Sequence, residues 1–188
     1  RVMDIVLSFV TGLVSLVFYP FIIIAIKLED GKEIFGLQTR VGRNNQPIKL
    51  IKFRTMEFND DGAWNSGIIN RVTKVGRFLR KSRLDELPQL WNVLKGEISL
   101  IGPRPEFPQA VSEYEKVVPY YNIRHLITPG LSGWAQIYHQ AHPHHGIDIK
   151  ETKNKLSYDL YYIKNRSFLL DIKIALKTLK TFISRAGR

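Results

Sequence analysis

Two adjacent carboxylates, Asp85 and Glu86, have the clearest chemical potential in this sequence. They lie in the run 84–88, where Pro88 is compatible with the first turn of a helix, so we expect a helix to begin near Asp85. Acidic residues at a helix start are common capping groups. The same position near arginines keeps a carboxylate ionised, as a nucleophile or a metal ligand requires. Adjacent helical residues point about 100° apart, so we expect the two side chains to have different roles.

Cationic residues recur before this pair at every third position: Arg71, Lys74, Arg77, Arg80 and Arg83. A spacing of three keeps them near one face of a helix. A solvated basic face is the ordinary interpretation. The functional alternative is a stripe that faces lipid headgroups or a diphosphate.

Two further segments carry candidate anion ligands. In Pro103-Arg104-Pro105, the prolines fix the backbone around Arg104 and lower the entropy lost when it binds an anion, although a plain rigid connector fits equally well. Further upstream, alternation along a strand puts Lys52 and Arg54 on one face, and a charged edge strand is the ordinary interpretation there.

Four histidines (His139, His142, His144 and His145) fall within seven residues, which makes a metal site conceivable. Their proline-containing loop favours simple exposure instead. The chain has no cysteine, which excludes a disulfide scaffold, a thiol nucleophile and thiolate metal sites. The net charge of +11 attracts nucleic acid, anionic lipid or phosphorylated substrates without choosing among them.

The elements that would position these residues are mostly helical, with a small strand element, so we predict an α+β fold. Strands are predicted at 37–41 and 48–53 around Asn44-Asn45, and residues 57–70 read as a mobile loop. Periodicity predicts helices at 71–80, 84–95, 108–121, 156–163 and 168–183. The last helix either packs on the core or lies at a membrane surface.

The N-terminal segment is uncharged from Ile5 to Ile26, about 33 Å as a straight helix and long enough for a bilayer core. Pro20 breaks it, so a kinked spanning helix and a helix that returns to its face of entry both remain open. We take residues 1–28 as a membrane anchor and 29–188 as a domain that its Lys/Arg surplus places in the cytoplasm.

The order of several motifs along the whole chain resembles that of the bacterial sugar transferase family, the monotopic phosphoglycosyl transferases. These motifs are Gln38–Gly42, Lys52–Met56, Thr73–Arg80, Leu84–Leu94, Ser99–Glu106, Pro129–Gly133 and Tyr158–Tyr162.

The resemblance implies an enzyme of the bacterial inner membrane, facing the cytoplasm, that moves a sugar-1-phosphate from a UDP-sugar to undecaprenyl phosphate and releases UMP. Its ping-pong, Mg²⁺-dependent reaction would begin the assembly of a surface glycan. Asp85 would attack the sugar-bearing phosphate, and Glu86, together with Asp85, would bind Mg²⁺. Arg104, between Pro103 and Pro105, would contact the nucleotide.

The resemblance also implies that other residues complete the polar site: Lys52, Arg54, Arg80 and Asp159. It favours a re-entrant anchor broken at Pro20, and amphipathic helices at the interface with membrane lipids. One-step transfer through a ternary complex is the nearer alternative. A membrane-tethered module that binds polyanions is the more distant one, and no nucleic-acid partner is expected. The sugar, the glycan and whether copies of the chain assemble into a homo-oligomer stay open. So does the role of 137–140, where the family often has an Asn-Gly-Arg-like run.

Overall fold

The computed structural model describes residues 1–57, 71–138 and 149–186, with side chains described as far as residue 181. The predicted loop at 57–70 and the histidine cluster therefore lie almost entirely outside the described residues. Within the described ranges the fold is α+β and mostly helical, as predicted. Its helices are α1 (Val2–Ser15), α2 (Tyr19–Asp30), α3 (Lys74–Ser82), α4 (Gln89–Lys95), α5 (Pro108–Val117), α6 (Trp134–Tyr138), α7 (Ile149–Asn165) and α8 (Phe168–Ala186). Its strands are β1 (Phe35–Val41), β2 (Pro47–Phe53), β3 (Ser99–Ile101) and β4 (Gly130–Ser132).

The predicted hairpin is confirmed. Strands β1 and β2 pair antiparallel, with a register that runs from Phe35 opposite Phe53 to Val41 opposite Pro47. Asn44 and Asn45 both have positive φ, at 54° and 59°. Asparagine tolerates this left-handed conformation because its short polar side chain can bond locally, which explains the turn at this position.

A second, parallel pair of strands joins β3 to β4, in a region where the sequence predicted only loops. The backbones of the two strands approach so closely near Gly102 and Gly130 that a Cβ on Gly130 would lie 2.1 Å from the Gly102 nitrogen. Only glycine fits at residue 130 without a backbone shift. This close pairing sets the path of the chain as it leaves β3 and enters Pro103-Arg104-Pro105.

The bounds of the predicted helices need correction: the helix expected at 108–121 is α5 and ends at Val117, and the one expected at 156–163 is α7 and begins at Ile149. The helix expected at 71–80 begins at Lys74, because Thr73 caps it by accepting a hydrogen bond from the Gly76 nitrogen at 2.9 Å. The helix expected at 84–95 is broken: a 3-10 turn covers Leu84–Glu86, and α4 begins only after Pro88. Pro88 has no N–H to bond the Leu84 carbonyl and its ring would clash there, so a continuous helix is excluded.

Helices α1 and α2 meet at a 59° bend just before Pro20, which lies in the first turn of α2. Among the described residues, no single helix has the length and apolar composition of a membrane span, whereas the bent pair together reaches them. The burial pattern of α1 is the reverse of that in an amphipathic helix of a soluble protein. Its buried residues are Ser8 and Ser15, while apolar side chains such as Phe9 and Val14 are exposed.

Both ends of the bent pair are tied to the rest of the domain. The Arg1 guanidinium donates to the carbonyls of Val93 and Leu94 at the end of α4, each at 2.7 Å. At the other end, the Asp30 carboxylate pairs with Arg54, where the Arg54 Nη1 to Asp30 Oδ2 distance is 2.6 Å. Both ends of the bent helix pair are therefore bound to the same domain.

Helix α8 packs on the core, which is one of the two positions left open by its sequence pattern. Ile174 is fully buried and packs with Ile101 and Tyr162 in one core cluster. On its outer side, Leu169 and Leu176 are 77% and 62% exposed. The helix packs on the core and also presents an apolar surface.

Candidate active site

The Asp85-Glu86 pair lies on a tight turn between α3 and α4. Helix α3 ends at Arg83, whose φ of 60° and ψ of 14° are left-handed. The 3-10 turn Leu84–Glu86 follows, and its leucine packs beside Phe53 and Leu79 in a core cluster. The apolar side chain fixes the turn against the core. Both carboxyl groups interact with cations, among them Lys52 and Arg83.

Asp85 has a buried carboxylate, one oxygen of which has no hydrogen-bonding partner among the described residues. It is 6% exposed, and its Oδ1 accepts no hydrogen bond from any residue that the structure describes. Burial raises the pKa of Asp85, and the neighbouring charge of Glu86 raises it further. Lys52, Arg83 and Arg80 lower it by a smaller amount. At Asp85, desolvation therefore outweighs the effect of the nearby cations on the pKa.

Glu86 has the opposite electrostatic balance. Burial alone would raise its pKa, but Arg104, Lys52 and Arg83 outweigh that effect and lower the pKa of Glu86 to about 2. The contacts agree with this order: Glu86 Oε1 lies 2.9 Å from Arg104 Nη2 and 3.4 Å from Arg83 Nη1. Two adjacent carboxyl groups thus have pKa values shifted in opposite directions, as expected for groups with different chemical roles.

Lys52 and Arg80 both interact with this pair. Burial and the charge of Arg104 lower the pKa of Lys52 to about 8, against the opposing effects of Glu86 and Asp85. Arg80 contributes its charge near Asp85 and donates from Nε to Thr55 Oγ1 at 2.9 Å. The structure therefore brings together most of the predicted polar site: Lys52, Arg80, Asp85, Glu86 and Arg104.

Two predicted residues lie elsewhere. Arg54 binds Asp30 at the end of α2 and donates from Nε to the Glu33 carbonyl at 2.5 Å. Asp159 on α7 is 2% exposed and pairs with Arg124 at 2.9 Å. Arg124 therefore lies between Asp159 and Arg104, the partner of Glu86. Burial raises the pKa of Asp159 although Arg124 opposes the shift.

Sequence reasoning missed two buried arginines behind the site. Arg124 donates from Nη2 to the Arg104 carbonyl at 2.8 Å, and Arg40 donates from Nη1 to the Pro105 carbonyl at 3.3 Å. Arg40 was part of a recognised motif but had no assigned role. Arg124 lies in a segment with no pattern that could have revealed it, because its role arises from tertiary contacts alone.

Asp85 and Glu86 fit a divalent cation only if a bound substrate supplies further oxygen ligands. No group of three or more His, Asp or Glu residues within the described ranges could hold a metal ion by itself. Asp85 nevertheless offers an unpartnered oxygen beside the Glu86 carboxylate. Magnesium in nucleotide sites is commonly held by one or two carboxylates together with substrate phosphates. The donor set therefore fits Mg²⁺ that arrives with, or is completed by, a phosphorylated substrate.

A cavity of about 500 Å³ opens between the anchor and the start of α4. Its lining is mostly apolar: Tyr19, Glu33, Phe35, Leu37, Ile51, Pro88 and Trp91. Pro88 lies two residues after the turn Leu84–Glu86, and Tyr19 begins α2 at the bend of the helix pair. The cavity thus lies between α2, the hairpin and the start of α4, and the carboxylates themselves do not line it.

Comparison with known proteins gives a consistent result. Residues 1–185 match the profile of the family described as bacterial sugar transferase. The chain is 42% identical over 173 residues to the UDP-N-acetylgalactosamine-undecaprenyl-phosphate N-acetylgalactosaminephosphotransferase of Aeromonas hydrophila, covering 87% of this chain and 38% of that protein.

Two glucose-1-phosphate transferases are also similar. The chain is 38% identical over 170 residues to the UDP-glucose:undecaprenyl-phosphate glucose-1-phosphate transferase of Escherichia coli (strain K12), covering 88% of this chain and 36% of that protein. It is 35% identical over 190 residues to the Caulobacter vibrioides protein of the same name, covering 98% and 69%. The chain thus spans less than two fifths of the Aeromonas and Escherichia proteins. Because the profile match extends over nearly every residue, this chain belongs to the bacterial sugar transferase family.

Proposed function

We propose that this chain transfers a sugar-1-phosphate from a UDP-sugar to undecaprenyl phosphate, with Asp85 as the nucleophile of a ping-pong reaction. One observation carries the proposal: the buried carboxylate of Asp85 has an unpartnered oxygen and lies beside cations suited to a diphosphate. The names of the relatives support the reaction class, since each describes transfer of a phosphosugar to undecaprenyl phosphate. Such a transfer would begin the assembly of a surface glycan.

The chemistry proceeds in two displacements. An oxygen of Asp85 attacks the phosphorus that carries the sugar, the bond from that phosphorus to the bridging oxygen breaks, and UMP leaves with the electron pair. A phosphate oxygen of undecaprenyl phosphate then attacks the same phosphorus. The bond to Asp85 breaks, and the free carboxylate is restored for the next donor.

The other residues of the site bind and neutralise charge. Arg104 and Lys52 would hold the phosphates of the nucleotide, and Arg80 would offset the charge on the phosphosugar. Glu86 together with Asp85 would hold Mg²⁺, which supplies charge neutralisation during phosphoryl transfer. The low pKa of Glu86 supports this role, because the carboxylate stays ionised at every physiological pH.

The Lys/Arg surplus of the chain favours the cytoplasmic face of the inner membrane, and the bent helix pair bears on how the anchor enters the membrane. At 1.5 Å per residue, α1 and α2 are about 21 Å and 18 Å long, and with the observed bend their apex would lie only about 10 Å beyond the line that joins their ends. Both ends are bound to the same domain, through Arg1 and Asp30. We therefore favour a re-entrant anchor over a spanning helix. The apolar cavity beside Tyr19 would open toward the lipid phase that contains the acceptor.

A single experiment separates the ping-pong reaction from one-step transfer. The purified protein is incubated with Mg²⁺ and a radiolabelled UDP-sugar without acceptor, for a panel of sugars. We expect about one equivalent of UMP and label that stays on the protein through denaturing electrophoresis. Release of UMP only when undecaprenyl phosphate is added would instead support the ternary-complex mechanism. Asp85→Asn is the matched control and should give neither product.

A further inference from the structure

The loop Pro103-Arg104-Pro105 is held by its backbone at three consecutive positions. The Pro103 carbonyl accepts a hydrogen bond from the Gly130 nitrogen at 2.9 Å. The Arg104 carbonyl accepts one from Arg124 Nη2 at 2.8 Å, and the Pro105 carbonyl accepts one from Arg40 Nη1 at 3.3 Å. Two of these three donors are guanidinium groups of buried residues.

Arg124 is fixed at each of its three nitrogens. Nε donates to Asp159 Oδ2 at 3.1 Å, Nη1 donates to the Tyr121 hydroxyl at 2.9 Å, and Nη2 reaches the Arg104 carbonyl. The residue is only 3% exposed. A buried guanidinium that is held this way presents a donor whose position does not vary, because its planar fork cannot turn without breaking the bond to Asp159.

Arg40 supports the next residue of the loop from the hairpin. Its guanidinium carbon lies 3.3 Å from the ring centroid of Phe107, and its Nη2 donates to Gln38 Oε1 at 2.9 Å. Since Phe107 lies two residues after Pro105, Arg40 contacts the segment both through a carbonyl and through an aromatic ring. The loop is thus connected to α7 through Arg124 and to β1 through Arg40.

We propose that Arg124 and Arg40 are positioning residues that fix the main chain of Arg104, so that its guanidinium is preorganised for the diphosphate of the nucleotide. This rests on the proposed function, in which Arg104 binds the donor. Asp159 acts at one further remove, by holding Arg124 rather than by touching substrate. Fixing the backbone removes freedom that binding would otherwise have to remove, which strengthens binding without adding a contact to the ligand.

A double-mutant cycle on UDP affinity tests the proposal. Binding of UDP with Mg²⁺ is measured by calorimetry for the unaltered protein, Arg124→Lys, Arg104→Gln and the double variant. Lysine keeps the charge beside Asp159 but cannot also reach the Arg104 carbonyl through a rigid fork. We expect Arg124→Lys to weaken UDP binding about tenfold alone and to have no further effect once Arg104 is replaced. Additive losses in the double variant would overturn the proposal.

The same cycle with Arg40→Lys provides an independent test of the second contact, and Arg43→Lys in the exposed hairpin turn serves as a control that should leave UDP affinity unchanged. Thermal unfolding is measured for each protein. If both Arg124→Lys and Arg40→Lys are unfolded where the unaltered protein is folded, these arginines maintain the fold and the proposal is wrong. Absence of UDP binding by the unaltered protein would instead refute the proposed function itself, so the two failures are distinguishable.

Discussion

Arg104 Nη2 lies 2.9 Å from Glu86 Oε1, so the arginine proposed to bind the nucleotide is also an ion-pair partner of the carboxylate proposed to bind the metal. A cation at Glu86 and the guanidinium of Arg104 compete for the same oxygen. A diphosphate bound by Arg104 would share its guanidinium and weaken the contact with that oxygen. Metal and nucleotide should therefore bind cooperatively.

The contact between Arg104 and Glu86 predicts that Arg104→Gln has opposite effects on Mn²⁺ affinity and on its enhancement by UDP. Arg104→Gln should strengthen Mn²⁺ binding to the nucleotide-free protein by a few fold, because Glu86 loses a competing partner. The same change should reduce the strengthening of Mn²⁺ binding by UDP, because the diphosphate loses its ligand. Electron paramagnetic resonance of free Mn²⁺ measures both. Equal Mn²⁺ affinity with and without UDP in the unaltered protein would contradict the coupling, and Glu86→Gln should weaken metal binding in both conditions.

Asp85→Asn should abolish turnover without loss of stability. The substitution removes the nucleophile, so we expect UMP release to fall by about 10³-fold or more. It also removes a buried charge whose pKa is raised by burial and by Glu86, so the melting temperature should stay equal or rise. Activity and thermal unfolding are measured on the same preparation. Substantial residual activity in a folded variant would place the nucleophile at another residue.

Lys52 should produce a pH dependence on the alkaline side. Its pKa of about 8 lies below the ordinary lysine value, so its ammonium group is lost as the pH rises through 8. If the ammonium binds phosphate, kcat/KM for the UDP-sugar falls above that pH. Lys52→Arg should keep a lower but flat kcat/KM between pH 7 and 9. A limb at pH 8 that persists in Lys52→Arg would assign the titration to another group.

His125 should make stability sensitive to mild acid. Burial and the charge of Arg124 lower the pKa of His125 to about 4, although Glu106 opposes the shift and Glu115 lies 3.8 Å from Nδ1. Between pH 6.5 and 4 the unfolded chain therefore binds a proton that the folded chain does not. The free energy of unfolding should fall by about 3 kcal/mol as the pH drops through this window.

Chemical denaturation at pH 7.5, 6 and 5 measures the first part of this loss, about 2 kcal/mol by pH 5, and His125→Gln is the comparison. Its unfolding free energy should change much less over the same pH range. The acidic groups with low pKa values, such as Glu86, lose their contribution only below about pH 4.5, so they do not obscure the histidine effect above pH 5. A pH dependence that the substitution leaves unchanged would exclude His125 as its source.

The topology of the anchor can be tested with single cysteines, since the natural chain contains none. Cysteines at positions 2 and 30 should both react with a membrane-impermeant maleimide from the same side of sealed vesicles. A cysteine at position 10, in the middle of α1, should remain unlabelled until detergent is added. Labelling of positions 2 and 30 from opposite sides would show that the segment crosses the bilayer.

Local sequence signals predicted those parts of the fold whose causes are local. Asn44-Asn45 predicted the hairpin turn because asparagine tolerates positive φ. The apolar periodicity of 84–95 predicted a single helix and failed, because periodicity does not register that Pro88 interrupts the backbone bonding. Strands β3 and β4 escaped prediction because each has three residues and their pairing joins segments about thirty residues apart.

The residues of the candidate site were likewise predictable only where their sequence surroundings are distinctive. Asp85, Glu86 and Arg104 were recognisable because they lie in contiguous motifs with distinctive residue types. Arg124 was not, because its surrounding sequence is unremarkable and its role depends on a carbonyl twenty residues away. Asp159 was placed in the polar site, whereas its direct partner is Arg124. Sequence patterns identified the groups suited to contact substrate, and only the tertiary structure revealed the groups that hold them.

Helix α4 has a consequence for how the lipid acceptor is reached. It has seven residues, about 10 Å at 1.5 Å per residue. One end follows the Asp85-Glu86 turn, and the other end is bound by Arg1 at the start of the anchor. In the proposed re-entrant arrangement, α4 would therefore set the distance between the lipid-embedded helices and the carboxylates. The phosphate of the proposed lipid acceptor would have to be presented at that level.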